Sequence, residues 1–531
     1  MNTAPIKITR QANLLRVSPA CEAILGPVLQ YGHRTMLVKP EVSVDATGNK
    51  RVRYVQITNR KVYSIENGDL YALAGLQDRV CRALSQSRVP FEFEDLRTLP
   101  PELENPDYDT LFRSLNTMVP SGKFEDFRSG QLEVLSLMVG HDNGIFVAPT
   151  GWGKSFIVRA LSLLYPKANI VIAVPGKALR NSMYEDLAKQ TPDVGRVGGG
   201  INKPNRITVA TPQSILKAQV DACHILIHDE CHVCGASSDE GSDTVSLSEV
   251  LASIRKPHKW FGFTATPTGR SDGAGMVIEA LFGPQLFTTT YQAAQAENAV
   301  APIRVVIRNL EAQEVTTAAR ECDSLLIKAS KKRHAYWRNG ARNSLLATAI
   351  TDTAGMFNLG DDPQVLILTE TLEHAIHLKQ HLPDYTLIYG TQDRKTFEEY
   401  ITQDYLPPDY EKLSDKQRDE LRAKFESGEL RKVIATKVWG TGVNFVNLNI
   451  LVYASGEPGE IPVVQWGGRV SRTNQEKEFG IIIDCNDRFS DWALKRANMR
   501  IRQYKKMGWT VVRPELKDAG NYKQARLVGF E

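Results

Sequence analysis

The run Ala148-Pro-Thr-Gly-Trp-Gly-Lys-Ser155 directly follows an apolar stretch, Gly144–Ala148, and precedes a helix-like stretch that begins near Phe156. Strand, glycine-containing loop, Lys-Ser and helix in that order form a phosphate cradle. Gly151 and Gly153 let the backbone curl, so that successive N–H groups around Thr150 face a polyphosphate at a helix amino terminus. Lys154 would neutralise β- and γ-phosphate charge, and the Ser155 hydroxyl would ligate Mg²⁺. Downstream, Ile225-Leu-Ile-His-Asp-Glu-Cys-His232 is an apolar strand ending in adjacent carboxylates. Hydrolysis of a nucleotide such as ATP needs one carboxylate in the Mg²⁺ shell and another to polarise the attacking water; Asp229 suits the first role and Glu230 the second.

A third group, Gln465-Trp-Gly-Gly-Arg-Val-Ser-Arg472, puts Gln465, Arg469 and Arg472 on one helix face by their spacing. Two guanidiniums on one face could complete a γ-phosphate site from a second domain and make hydrolysis depend on closure. Cys223, His224, Cys231, His232 and Cys234 also lie close together in sequence. Cys223 and Cys231 flank a buried strand, however, and are expected too far apart for one zinc site.

These groups need elements to hold them. Between Phe124 and Pro302, short apolar runs at Gly144–Ala148, Ile170–Val174, Ile207–Ala210, Ile225–Ile227 and Trp260–Phe263 alternate with helical stretches. A second series runs Val365–Thr369, Thr386–Tyr389, Val433–Ala435, Ile450–Tyr453 and Gly480–Ile483. Apolar runs alternating with helices predict parallel sheets covered on both faces. The fold class expected is α/β, with two tandem domains at 118–304 and 305–488. A small α+β module precedes them at 1–96, with helix-like runs at Ala20–Gln30 and Gly68–Ser85, strand-like runs at Val52–Thr58 and Lys61–Ile65, and a turn at Asp45–Asn49. A Pro-containing linker is expected over 97–117 and a basic tail over 489–531. Ala236–Ser248 reads as a surface loop and Asp393–Glu429 as a solvated helical excursion.

At 531 residues, 42% hydrophobic and 24% charged, the chain is globular and multidomain. No window approaches about 18 uninterrupted apolar residues, so no spanning helix and no membrane partner are expected. Seven cysteines favour a reducing, cytoplasmic setting. The net charge of +4 is mild, but six Lys/Arg fall between Trp492 and Gly508 and six between Lys328 and Arg342. Either stretch could extend a nucleic-acid track or form a solvated helix face.

The ordered set resembles the superfamily 2 helicases and translocases of the DECH-type branch, over roughly residues 120 to 490. Within it the chain is similar to the UvsW-like phage DNA helicases, which are related to the XPB-like repair group. The resemblance implies two RecA-like domains, ATP and Mg²⁺ as cofactors, and DNA forks, junctions and single strands as partners. It further implies a monomer, in the host cytoplasm if phage-encoded. Phe127–Gln131 matches the upstream glutamine motif, so Arg128 and Gln131 would read adenine, with Gln465 also at the nucleotide. Pro175, Lys177, Gly198, Gly199, Thr211, Gln213 and Thr436 would grip nucleic acid, through amides and hydroxyls that do not read bases. His232, Thr264, Thr266 and Gly442 would couple the two sites. Val174-Pro-Gly-Lys-Ala-Leu179 stands at the family's motif Ia but carries Gly176 where Thr is usual, and Ala435–Val443 stands at motif V, which ends Gly442-Val443-Asn444 where many relatives carry Gly-Ile-Asp.

Three functions follow as expectations: an ATP-driven DNA translocase that remodels branched DNA, an RNA helicase, or the motor of a nuclease. Pro383-Asp384 with Asp393-Arg-Lys395 loosely matches a nuclease carboxylate–lysine pattern.

Overall fold

The computed structural model describes residues 5–44, 50–114, 127–128, 130–189, 191–217, 222–235, 251, 254, 257–266, 273–297, 300–390, 394–403, 405–408, 410, 412–436, 439, 445, 447–458, 467–468, 470 and 478–513. The chain divides into two compact units, residues 1–36 with 55–297 and residues 37–54 with 298–531.

The first unit holds two sheets. The smaller is built from β1 (Ile6–Gln11), β2 (Leu14–Ser18), β5 (Tyr63–Glu66), β6 (Asp69–Leu73) and β7 (Phe91–Asp95), in the order β5-β6-β2-β1-β7. Two long strands, β3 (Gln30–Val44) and β4 (Lys50–Lys61), pair with each other as a separate sheet, of which residues 37–54 belong to the second unit. The Gly68–Ser85 run expected as helix divides. Asp69–Leu73 is a strand with Leu70 and Ala72 buried, and the helix spans Gln77–Gln86. Leu70 and Ala72 alternate with Tyr71 on β6, a period of two that a helical reading overlooks.

The larger sheet contains β8 (Asn143–Val147), β9 (Ile170–Ala173), β10 (Val194–Gly198), β11 (Ile201–Lys203), β12 (Ile207–Ala210), β13 (Ile225–Asp229), β14 (Lys259–Thr264) and β15 (Gln285–Thr288). Its order is β11-β10-β12-β9-β13-β14-β8-β15. β9, β12, β13 and β14 are buried along their whole length, as a sheet covered on both faces requires. Only β10–β11 is antiparallel, at one edge. The register sets Asp229 opposite Phe263, and Thr264 opposite Val147. The carboxyl ends of β13, β14 and β8 are therefore level, and the P-loop and the acidic pair emerge at one rim.

The small sheet packs on this domain: Ala280 belongs to its core cluster and Met276 packs against it. The Arg79 guanidinium pairs with Glu279, with Nε 3.0 Å from Oε1. The segment expected as a linker is packed too. It forms short helices at Pro101–Glu104 and Tyr108–Arg113 with Leu103 and Leu111 buried, and Asp107 caps the second by accepting from Thr110 N–H.

The second unit contains a sheet of order β18-β19-β17-β20-β21-β16-β22. Its strands are β16 (Ile303–Leu310), β17 (Val365–Leu368), β18 (Thr386–Ile388), β19 (Lys432–Ala435), β20 (Ile450–Tyr453), β21 (Gly480–Asp487) and β22 (Thr510–Val512). Its strand pairings among the described residues are parallel. Residues 489–513 are no appendage: the helix Asp491–Lys506 packs on β21 and β22 adds an edge to β16. Arg500 is fully buried. It donates to both Asp484 oxygens (2.8 and 3.1 Å), to Asp487 at 3.2 Å and to the Gly456 carbonyl at 3.0 Å. Arg342, equally buried, donates to Asp487 at 2.8 Å and to the Ala454 carbonyl at 2.6 Å. Lys332 reaches Glu370 at 2.6 Å and also pairs with Glu457, which Arg496 meets at 3.1 Å. Burial pushes the Glu457 carboxyl up, but Lys332 and Arg496 outweigh it and hold it at about 2. The two basic stretches thus place Lys332, Arg342, Arg496 and Arg500 in structural ion pairs, which corrects any assignment of these four to a nucleic-acid track. Lys328, Arg338, Lys495, Arg502, Lys505 and Lys506 remain exposed.

Within Asp393–Glu429, helices span Arg394–Thr402 and Asp415–Ser427, and Phe397 and Phe425 are buried. The excursion therefore anchors itself in the core by two aromatics. The Asp45–Asn49 turn and the Ala236–Ser248 loop lie outside the described residues. No helix among the described residues is long and apolar enough to cross a membrane.

Candidate nucleotide site and nucleic-acid face

The helix Lys154–Leu164 begins where the P-loop closes, with Gly151 at φ 90° and Gly153 at φ 109°. A side chain at Gly153 would be strained, and its Cβ would stand 2.5 Å from Gln131 Nε2. Gln131 is buried, accepts from Arg128 N–H at 3.0 Å and donates to the Trp152 carbonyl at 3.0 Å. Arg128 donates to the Gly151 carbonyl at 2.6 Å. Both residues expected to read a base are thus engaged with the backbone of the loop, a bracing role that sequence reasoning did not foresee.

Lys154 Nζ lies 3.6 Å from Asp229 Oδ1 and 3.6 Å from Glu230 Oε1. Burial presses the ammonium toward neutrality, yet Glu230 and Asp229 outweigh it and raise its pKa. Burial also raises the Asp229 carboxyl, against the pull of Lys154. Glu230 sits in the left-handed region at φ 53°, a conformation uncommon for a side chain of this size, and its N–H donates to Asp229 Oδ1 at 3.0 Å. Lys154 Nζ and Glu230 Oε2 are buried without a hydrogen bond. A bare ammonium beside a glycine cradle, with two carboxylates at its back, fits a polyphosphate carrying a divalent cation. Ser155, half-buried in the first helical turn, and Asp229 are the side chains placed to hold that cation.

A short relay leaves this site. His232 Nδ1 is 3.4 Å from Glu230 Oε2 and 2.9 Å from Thr264 Oγ1, and the Thr266 N–H donates to Thr264 Oγ1 at 3.1 Å. Three of the residues expected to couple, His232, Thr264 and Thr266, are therefore connected to Glu230 and one another.

On the same domain, Gly198, Gly199 and Gly200 have φ of 112°, 56° and 86°, three successive left-handed residues. An added Cβ at Gly198 would meet Thr211 Oγ1 at 2.6 Å, and one at Gly199 would meet Lys177 Cδ at 3.1 Å. Gly198, Gly199, Thr211 and Lys177 thus form one cluster. Pro175 is half-buried and Gln213 exposed near it in sequence. Beneath the glycines lies Arg180, which sequence reasoning missed. It is 2% exposed and donates to the Gly198 carbonyl and, at 2.6 Å, to Asn181 Oδ1. A signal existed: a cation in the first turn of a helix opposes the helix dipole and needs a local reason.

In the second unit, Thr436 is buried at the end of β19. Gly442, Gln465, Arg469 and Arg472 lie outside the described residues. Gly467 is described and sits against the Trp509 ring. Of the nuclease pattern, Asp384 pairs with Lys432 at 2.9 Å, which holds its carboxyl low, and Asp393 lies outside the described residues. Cys223 and Cys231 are buried, and the Cys223 thiol donates to the Ile225 carbonyl at 2.9 Å.

Known proteins share this plan. Residues 123–269 match the family described as type III restriction enzyme, res subunit, and residues 349–474 match the helicase conserved C-terminal domain. The chain is a superfamily 2 helicase. Its two helicase domains imply ATP-dependent activity. The DNA 3'-5' translocase XPB2 of Sulfurisphaera tokodaii is 24% identical over 425 residues, covering 77% of this chain and 92% of that protein. S. cerevisiae Dbp5 bound to RNA and ADP BeF3 superposes with a TM-score of 0.51 at 14% identity, over 78% of this chain and 95% of that one. T4 UvsW covers 96% of this chain and 99% of that one at 16% identity, with a TM-score of 0.38.

Proposed function

We propose that this helicase is an ATP-driven DNA translocase that remodels branched DNA by branch migration, fork regression or duplex unwinding. The observation that carries the motor is the buried Lys154 ammonium, beside a glycine cradle and 3.6 Å from both Asp229 and Glu230. DNA as the track is supported by the name of the Sulfurisphaera relative.

In this reading Lys154 holds the β- and γ-phosphates, while Ser155 and Asp229 hold Mg²⁺. The cation, when bound, neutralises charge that develops on the transferred phosphoryl group. Glu230 takes the proton of the attacking water. Arg469 and Arg472 complete the γ-phosphate site from the second domain, with Gln465 beside them. Arg128 and Gln131 hold the loop in shape for adenine and phosphates alike. A change at Glu230 reaches Thr266 through His232 and Thr264, and so links hydrolysis to the face where Lys177, Gly198, Gly199, Thr211 and Gln213 meet the strand. Pro175 and Thr436 flank that grip, and Gly442 belongs to its coupling.

Arg180 positions the glycines for that grip. Arg180→Gln is expected to weaken single-strand binding by about tenfold, the worth of one charge-assisted hydrogen bond, with the DNA-free ATPase rate retained. Fluorescence anisotropy of a labelled strand reads it; unchanged affinity would remove Arg180 from the grip.

The N-terminal module selects branched DNA through Arg51, Arg53, Arg60 and Lys61, near its strands. Deleting residues 1–96 would strip cover from the buried Ala280, so point changes are the cleaner test. Arg51→Glu with Arg53→Glu is expected to slow migration of a labelled four-way junction while sparing the ATPase rate on single strands. Equal migration by the variant and the parent would move junction choice elsewhere in the chain.

A further inference from the structure

A cavity of about 230 Å³ lies in the first unit where the small sheet meets the larger one, lined by Arg10, Gly75, Gln77, Asp78, His141 and Asn143 among others. It opens at the amino ends of β8 and β15, whereas the P-loop leaves the carboxyl end of β8. The five residues of β8 separate the two by roughly 15 Å at the usual strand rise.

Arg10, on β1, lines this cavity and is 5% exposed. Its one side-chain hydrogen bond is a long one, Nη1 to Gln77 Oε1 at 3.4 Å, and Nε has no partner. Its neighbours are already satisfied. Arg97 binds Asp142 at 2.5 Å, Asp95 at 2.7 Å and the His258 carbonyl at 2.9 Å. Lys259 donates to the carbonyls of Val139 (3.0 Å) and His141 (2.8 Å) and lies 3.6 Å from Asp142. Burial, with Arg97 beside it, holds the His258 ring at about 4, so it is neutral at pH 7. Three permanent cations, Arg10, Arg97 and Lys259, therefore lie near two carboxylates, the exposed Asp95 and the half-buried Asp142. Of the three, Arg10 is the one with no carboxylate at ion-pair distance among the described residues. Burial and Arg97 draw its guanidinium down to about 10 against the pull of Asp142 and Asp95. The helix Gln77–Gln86 starts at the same wall and has no side-chain cap. The Gln77 N–H is taken by the Ala74 carbonyl, and the amino end beyond it adds positive potential. Two carboxylates also line the cavity and oppose an anion there: Asp142, which is paired with Arg97, and Asp78, in the first turn of the helix and exposed at the rim.

We propose that this cavity binds a phosphate group, held by the Arg10 guanidinium and the amino end of the helix Gln77–Gln86. A guanidinium with a bare N–H and a helix amino terminus are the donors that select a tetrahedral oxyanion. The phosphate is either the free ion or a nucleic-acid backbone phosphate. The site does not depend on the nucleotide reading, because its residues are separate from the P-loop.

The test titrates inorganic phosphate into the full chain by calorimetry under saturating Mg-ADP, which fills the P-loop. The wild type is expected to bind one phosphate. Arg10→Gln is expected to weaken that binding by about tenfold or more, and Arg10→Lys by less. Asp78→Asn, a change at an exposed position, is expected to tighten it several-fold, a gain that a merely structural role for Arg10 would not produce. A parallel titration with a short duplex separates the sources: a loss in Arg10→Gln for duplex as well as ion assigns the backbone, and a loss for the ion alone assigns the free anion. No phosphate binding by the wild type under Mg-ADP would overturn the proposal. So would unchanged binding in Arg10→Gln, or in Asp78→Asn should Arg10→Gln fail to fold.

Discussion

Glu230→Gln is expected to lower ATP turnover by about 10²–10⁴-fold, the usual worth of a general base, while Mg-ATP stays bound with nearly the wild-type affinity. The substitution keeps the shape of the side chain and the Glu230 N–H bond to Asp229, and leaves Lys154 with Asp229 at 3.6 Å. Proton acceptance is lost, together with the Glu230 charge that lies 3.6 Å from Lys154. Lys154→Ala should behave differently. It removes the cation that faces the phosphates and leaves Asp229 and Glu230 buried together without it, so nucleotide affinity should fall by about tenfold or more along with turnover. Filter binding and phosphate release, measured on both variants, separate the two. Turnover near the wild-type rate in Glu230→Gln would move the base elsewhere.

Arg500→Met is expected to destabilise the second unit by about 3–5 kcal/mol, because it strands Asp484 and Asp487 in the core with one cation, Arg342, in place of two. In a domain of this size that is a fall of about 10 °C or more in its melting transition. The damage should also reach activity. Tyr504 donates to Asp484 at 2.7 Å and stacks on Trp509 with ring centroids 5.8 Å apart, and Trp509 backs Gly467 in the segment that carries Arg469 and Arg472. Thermal unfolding followed by circular dichroism reads the first effect. A variant as stable as the parent but weakened in DNA binding would return this helix to the nucleic-acid track.

The candidate nucleotide site was legible because its chemistry is local in sequence. A strand end, two glycines and Lys154, or a strand end and two carboxylates, dictate their own geometry, and the parallel sheet brings both to one rim. Ile207–Ala210 and Ile450–Tyr453 have the expected bounds because a strand buried on both faces must be apolar throughout. The edge strands β11 and β15, and β10 next to β11, lack that signature. Val194–Gly198 contains two glycines and an arginine, and Gln285–Thr288 is half-exposed. Long-range pairing was the larger gap. Nothing near Arg500 in sequence announces Gly456, and Arg342 meets Asp487 across 145 positions. A basic helix that buries its cations on carboxylates has the same composition as one that offers them to DNA.

The motor account is tested most directly by phosphate release from Mg-ATP, measured alone and with a DNA single strand, a DNA four-way junction and an RNA strand at one salt concentration. The account predicts a slow basal rate, strong stimulation by both DNAs, weak stimulation by RNA, and no stimulation of Glu230→Gln. Hydrolysis that is indifferent to DNA, or stimulated by RNA alone, would contradict it.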